Sequence, residues 1–194
     1  MATCCILVLL TNKINCMKSI VVKYGLLGGL IVAVVLAAGT LYCYSTGKFE
    51  GNMLVGFASM ALSFSFVFVA IKQVRDKKDG GFISFGKAFK IGILIALVTS
   101  TIYVVTWLIT YYCFIPDFME KFTSYTLNKA QASGITAEKL ATETARMKEY
   151  TEMYKNPLLI ILFTYLEILP VGIVVSLIAA AILKRKNKPQ VVES

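Results

Sequence analysis

Glu167 is the one carboxylate inside the last long apolar run, 157–183, and Pro170 follows it three residues on. An unpaired acid in hydrocarbon costs about 3 kcal/mol or more, so such a residue faces a bundle interior and finds a partner. Two roles fit it: a structural acid bonded to a neighbouring hydroxyl, or a proton- or cation-binding acid in a transport path. Pro170 lacks an N–H and leaves a carbonyl of the preceding turn without its usual donor. Counting inward from the ends of the other apolar runs brings Ser63, Tyr103 and Thr106 to the depth of Glu167, as candidate hydrogen-bond partners. No lysine or arginine lies at that depth, so Glu167 is expected to be largely neutral at rest, donating to a hydroxyl or a carbonyl rather than forming a salt bridge.

Other chemistries lack their residues. The chain has no histidine, which removes Ser–His–Asp and Cys–His nucleophilic sites and His-based metal sites. Its five cysteines, Cys4, Cys5, Cys16, Cys43 and Cys113, show no CxxC spacing. Cys43 and Cys113 fall near the same ends of two apolar runs, which leaves a disulfide open and does not require one. Paired carboxylates and an activated nucleophile are missing too, so neither enzymatic activity nor a cofactor or metal is expected.

The elements that must position Glu167 are membrane spans. Of 194 residues 57% are hydrophobic, and the mean hydropathy is +0.72, well above soluble domains at roughly 45–50% apolar. About twenty apolar residues cross a bilayer. Four runs qualify, at about 20–44, 53–71, 91–115 and 157–183. The fold class is therefore all-α: a polytopic membrane protein of four transmembrane helices, with a helical hairpin at 116–156 between spans three and four. In that hairpin Phe118, Phe122 and Tyr125 form one apolar stripe, and Leu140, Met147, Tyr150 and Tyr154 another. Ser84, Thr136 and Asn156 are N-caps, the last followed by Pro157 at the first helical position, and Gly134 ends the hairpin's first helix.

Small residues mark where helices touch. Gly25 and Gly29 form a GxxxG pair, and Ala88, Gly92, Ala96 and Ser100 recur every four residues along one face of the third span. With Ser176 and Ala180 they predict close packing in one half of the bundle and a bulkier, looser other half; Gly172 is a further packing position. Val98 lies off the four-residue stripe and is expected to tolerate Leu.

Charge sets the orientation. The net charge is +9, and its distribution decides its meaning. The N-terminal stretch carries Lys13, Lys18 and Lys23. The loop 72–90 carries six basic residues, and the end of the chain Lys184, Arg185, Lys186 and Lys188. The hairpin balances six basic against six acidic residues. Basic flanks mark the cytoplasmic side. Both termini are therefore expected inside and the hairpin outside, and the charge reads as orientation and attraction to anionic headgroups rather than nucleic-acid binding. The loop 72–90, where Phe82, Phe85 and Phe89 alternate with Lys87 and Lys90, is expected to be a solvated charge run with interface anchors; the alternative is a segment lying at the headgroups before the chain rises into the membrane. Residues 1–16 differ from the rest and read as an N-terminal extension, with Met17 as an ordinary start; 187–194 is a basic-to-polar tail.

Several stretches together resemble a known family: Met17-Lys-Ser-Ile-Val-Val-Lys-Tyr-Gly25, Gly56-Phe-Ala-Ser-Met60, Gly80-Gly-Phe-Ile-Ser-Phe-Gly-Lys-Ala-Phe-Lys90, Pro116-Asp-Phe-Met119, Tyr154-Lys-Asn-Pro157 and Glu167-Ile-Leu-Pro-Val-Gly172. The pattern is similar to domain-of-unknown-function family 4199, small four-span membrane proteins of Bacteroidetes-type bacteria, over residues 17–186. That resemblance implies the bacterial inner membrane and a four-span architecture; it carries no catalytic residue. The function expected is a non-enzymatic scaffold or accessory subunit, with the bilayer, a second copy or another membrane protein as partner. The alternative is a small oligomeric proton- or cation-linked transporter or channel using Glu167.

Overall fold

The computed structural model describes residues 2–49 and 53–185, and of residues 2–16 and Met53 the backbone only. The order is α1 (Ala2–Thr46), α2 (Met53–Lys78), α3 (Phe85–Ile109), α4 (Phe118–Ala132), α5 (Ala137–Met153) and α6 (Pro157–Leu183). Four stretches are long and apolar enough to cross a membrane: Met17–Thr46, Leu54–Lys78, Phe85–Phe114 and Pro157–Leu183. The protein is an all-α multi-pass membrane protein, and α4 and α5 form a hairpin between its third and fourth spans.

Local chemistry sets the boundaries. Ser84 caps α3 and accepts from the Lys87 N–H, Thr136 caps α5 and accepts from Lys139, and Asn156 caps α6 and accepts from Leu158. Gly134, at φ +67°, ends α4 where an L side chain would be strained. Two boundaries differ from the sequence reading. α2 does not stop at 71 but runs to Lys78, because Arg75, Lys77 and Lys78 sit in its last turn, where cations favour the helix dipole. α3 starts at Phe85, directly after its Ser84 cap, and so begins six residues before the span expected at 91–115. Residues 2–16 continue α1 as helix. The last turn of the third span is π-helical, Thr110–Phe114. Pro116 has no N–H to continue the ladder, and the Ile115 N–H bonds the Thr110 carbonyl five residues back, at 3.1 Å.

One end of the bundle collects the starts of α1 and α3 and the ends of α2 and α6. There Ile83 and Arg185 exchange two backbone hydrogen bonds, 3.1 and 2.9 Å, fastening the α2–α3 turn to the end of α6. The Tyr24 hydroxyl donates to Gln73 Oε1 at 2.7 Å, and Lys87 pairs with Asp79. This is the basic end. The hairpin lies at the other.

Near the basic end the helices are in backbone-level contact. A Cβ at Gly92 would lie 2.8 Å from Ser176 Cβ, and one at Gly172 2.8 Å from Ala96 Cβ, so α3 and α6 interlock through two small-residue pairs. A Cβ at Gly25 would lie 2.6 Å from Val98, and Gly29 abuts Ile102. Gly28, which the spacing did not single out, faces backbone: its Cβ would lie 2.9 Å from the Ser63 carbonyl oxygen of α2. Thr99 donates to the Gly25 carbonyl at 3.1 Å between α3 and α1. Ala88, Ala96 and Ser100 are fully buried on the same side of α3.

Val98 corrects an expectation. It lies off the α3–α6 stripe but is the knob that fills the Gly25 notch of α1, so enlarging it is not mild. Gly92→Leu should lower stability in detergent by about 1–3 kcal/mol or prevent assembly, as overpacking does. Val98→Leu should cost an intermediate amount. Val105→Leu, on a side chain 47% exposed toward the lipid, should stay within about 0.5 kcal/mol. Thermal unfolding of the three variants in one detergent checks the order.

Candidate functional site

Away from the basic end the side chains on facing helices are larger and the bundle opens. Two cavities, of about 440 and 470 Å³, lie there and share Leu36, Tyr103, Trp107, Phe118, Phe122 and Glu167 as lining residues. They are two lobes of one crevice, each within the roughly 300–1,000 Å³ typical of small-molecule sites. The first lobe runs between α3 and α6 under the hairpin, with Met119, Tyr154, Phe163 and Thr164 in its wall. The second runs between α1 and α2, past Val32, Gly39 and Met60.

Glu167 sits where the lobes meet. The Tyr103 hydroxyl donates to its Oε1 at 3.3 Å, joining α3 to α6. Close by, the Thr101 and Tyr165 oxygens lie 2.9 Å apart across the same pair of helices. Of the three candidate partners, only Tyr103 reaches the acid. Thr106 instead donates to the Ile102 carbonyl of its own helix, at 2.8 Å. Ser63 is fully buried against Gly28, and its hydroxyl has no partner. Depth alone selected these residues; the rotation of each helix decides which way they point. Pro170 is exposed within a continuous α6 and does not line the crevice. Gly25, Gly29, Gly92, Ala96, Ser100, Gly172 and Ser176 lie outside the crevice walls and hold the helices together elsewhere.

Aromatic rings dominate the crevice. Trp107 meets Phe118 edge-on with ring centroids 5.3 Å apart, Phe118 stacks on Phe122 at 5.8 Å, and Tyr111 meets Tyr154 at 5.8 Å. The apolar stripe of α4 thus turns inward over the crevice, while Met147 buries the facing side of α5. Tyr154 stands in the turn after α5; burial first, and the Glu167 charge second, push its hydroxyl above the ordinary phenol value. The aromatic stripe was legible in the sequence, but its meeting with Glu167 was not. The available signal was the one-turn step from Tyr103 to Trp107 on the face that carries the acid's partner.

A polar contact fastens the hairpin to α1. The Tyr44 hydroxyl, at the end of α1, donates to Asp117 Oδ1 at 2.7 Å. Lys121 pairs with Asp117 Oδ2 at 3.0 Å and lies 3.9 Å from the centre of the Tyr44 ring. Phe49 adds edge contacts to Phe118 and Phe122. Cys43 and Cys113 are free thiols, so no disulfide joins the two ends they occupy. Among the described residues no group of three or more His, Cys, Asp or Glu side chains is placed to hold a metal.

The Tyr44 hydroxyl, then Lys121, hold the Asp117 carboxyl below its ordinary value of 3.8. A depressed carboxylate contributes fully above its unfolded value and loses that contribution as pH falls through the folded one. Hydrogen exchange of the α4 amides, corrected for intrinsic rate, should therefore be flat from about pH 5 to 8. Tyr44→Phe should speed it by roughly two- to tenfold, the worth of one hydrogen bond, and leave α3 unchanged.

A family model described as a protein of unknown function (DUF4199) matches residues 23–185. No curated protein and no solved structure matches the chain.

Proposed function

The chain belongs to the DUF4199 family of proteins of unknown function, and we propose that this member is a non-enzymatic accessory or scaffold subunit whose working part is the crevice beneath the hairpin. The observation that carries this reading is the make-up of that crevice. Its described walls hold one carboxyl, Glu167, bonded to the Tyr103 phenol; the other polar side chains there, Thr40, Tyr42, Cys43, Ser59, Tyr150, Tyr154 and Thr164, are hydroxyls and one thiol set in aromatic and aliphatic walls, and of these groups only Tyr103 bonds the acid. General acid–base or nucleophilic chemistry needs a second group in reach. One acid in an apolar, preformed cleft suits binding. The protein belongs, in this reading, to a bacterial inner membrane, with both termini cytoplasmic and the hairpin outside. The support for that orientation is the gathering of basic residues at the end opposite the hairpin.

A second reading is a proton- or cation-linked transporter using Glu167. The Tyr103–Glu167 pair favours it, since an acid that lines a cleft is placed to exchange a proton or a cation. Against it, the Gly92–Ser176 and Gly172–Ala96 contacts close α3 on α6 toward the basic end. A path through one chain would have to part them.

Two measurements test these statements. A reporter active only outside the cytoplasm should be active when fused at Gly134 and silent at Gly80 or after Ser194; activity at Gly80 reverses the orientation. Glu167→Gln still accepts from Tyr103, so it should fold within about 0.6 kcal/mol of the parent, the mean worth of an interhelical hydrogen bond in a membrane. Glu167→Lys should fail to assemble. Reconstituted alone in liposomes under a pH gradient, the parent and Glu167→Gln should both give the flux of empty liposomes. Flux in the parent that Glu167→Gln abolishes would replace the accessory reading with the transporter.

A further inference from the structure

The crevice is specific about what could occupy it. A neutral lipid chain would need only the aliphatic and aromatic walls, and would leave the Glu167 carboxyl facing hydrocarbon. A metal ion would need several oxygen or nitrogen donors, about six to eight for calcium, and the junction of the lobes offers one carboxyl and one phenol. A small hydrated cation would have to shed water among Leu36, Trp107, Phe118 and Phe122 with one anionic ligand to replace it. An organic cation meets none of these objections. Its charge is spread over carbon, so it loses little hydration, and the faces of tryptophan, tyrosine and phenylalanine attract it.

We propose that the crevice binds a lipophilic organic cation, its charged centre at the junction of the two lobes against Glu167 and its apolar arms in the lobes on either side. The proposal deepens the binding reading given above and rests on it. Four aromatic side chains line both lobes together with Glu167: Tyr103, Trp107, Phe118 and Phe122. The acid supplies the countercharge and the rings the walls, the arrangement by which aromatic cages take quaternary ammonium groups. Tyr103 orients the carboxyl through its hydroxyl and leaves the second carboxyl oxygen for the cation. The two lobes diverge, one between α3 and α6 and the other between α1 and α2. That shape fits a molecule with apolar groups on more than one side of its charge better than a single-tailed amphiphile.

Trp107 is the chain's single tryptophan and stands in the wall of both lobes, so its fluorescence reports on this site alone. The test uses the full chain in phosphatidylcholine nanodiscs, with tetraphenylphosphonium as the cationic probe and triphenylphosphine oxide as a neutral one. The cation should change Trp107 emission saturably, and the neutral probe should bind at least about tenfold more weakly. Glu167→Gln should weaken the cation by about tenfold or more, as loss of the countercharge does, and leave the neutral probe unchanged. Glu167→Asp should restore part of the difference. Equal affinity for the two probes, or a cation signal indifferent to Glu167→Gln, would overturn the proposal. Should Glu167→Gln fail to fold, the preference of the parent chain between the two probes decides alone. Neutral and cationic probes binding equally would leave the accessory reading standing. Flux that depends on Glu167 would remove that reading and leave the cation site standing.

Discussion

In a bilayer apolar side chains gain nothing by leaving lipid for one another, so helices stay together through close van der Waals contact and a few interhelical hydrogen bonds. In this protein that contact is made by α3. Through Gly92 and Ala96 it meets Ser176 and Gly172 of α6, and its Val98 and Ile102 enter the Gly25 and Gly29 notches of α1. Thr99 adds a buried hydrogen bond between α3 and α1, to the Gly25 carbonyl. Gly28 brings α1 down on the Ser63 carbonyl of α2. Every span is thereby held within backbone reach of another in one half of the bundle.

The other half follows from the first. Helices held that close at one end, with Tyr103, Trp107, Phe163 and Glu167 between them toward the other, leave a crevice there. An open apolar crevice of this kind costs contact with either lipid or water. The hairpin covers it with Phe118 and Phe122, and the π-helical turn before Pro116 swings the chain out of α3 into that cover. Asp117 then ties the cover to α1 through Tyr44. The site is a consequence of packing: small residues at the basic end, bulky aromatic ones at the hairpin end, and a single acid at the seam.

Much of the scaffold was legible in the sequence because it rests on local rules. Apolar runs mark spans, Ser84, Thr136 and Asn156 mark helix starts, and the four-residue recurrence of Ala88, Gly92, Ala96 and Ser100 marks a packed face. The resemblance to a four-span family agrees with the family match and covers nearly the same residues. What the sequence did not yield depends on how each helix is rotated about its axis. Depth counting offered Ser63, Tyr103 and Thr106 equally to Glu167, and only Tyr103 faces it. Val98 read as peripheral because its partner is α1, whereas the stripe describes the face toward α6. The aromatic residues of α4 and of the turn after α5 read as hairpin core; that they also wall the acid's crevice needed the fold.

The central claim is that Glu167 faces an accessible crevice on the hairpin side while Ser176, about two and a half turns below it on α6, is sealed against Gly92. In a background with the native cysteines replaced by alanine, single cysteines at Glu167→Cys and Ser176→Cys report this directly through their labelling rates with a small membrane-impermeant maleimide. The account predicts that the cysteine at 167 labels readily from the hairpin side, and that the cysteine at 176 does not label until the protein is unfolded. Equal labelling of the two in the folded protein, or a cysteine at 167 reached only after unfolding, would contradict it.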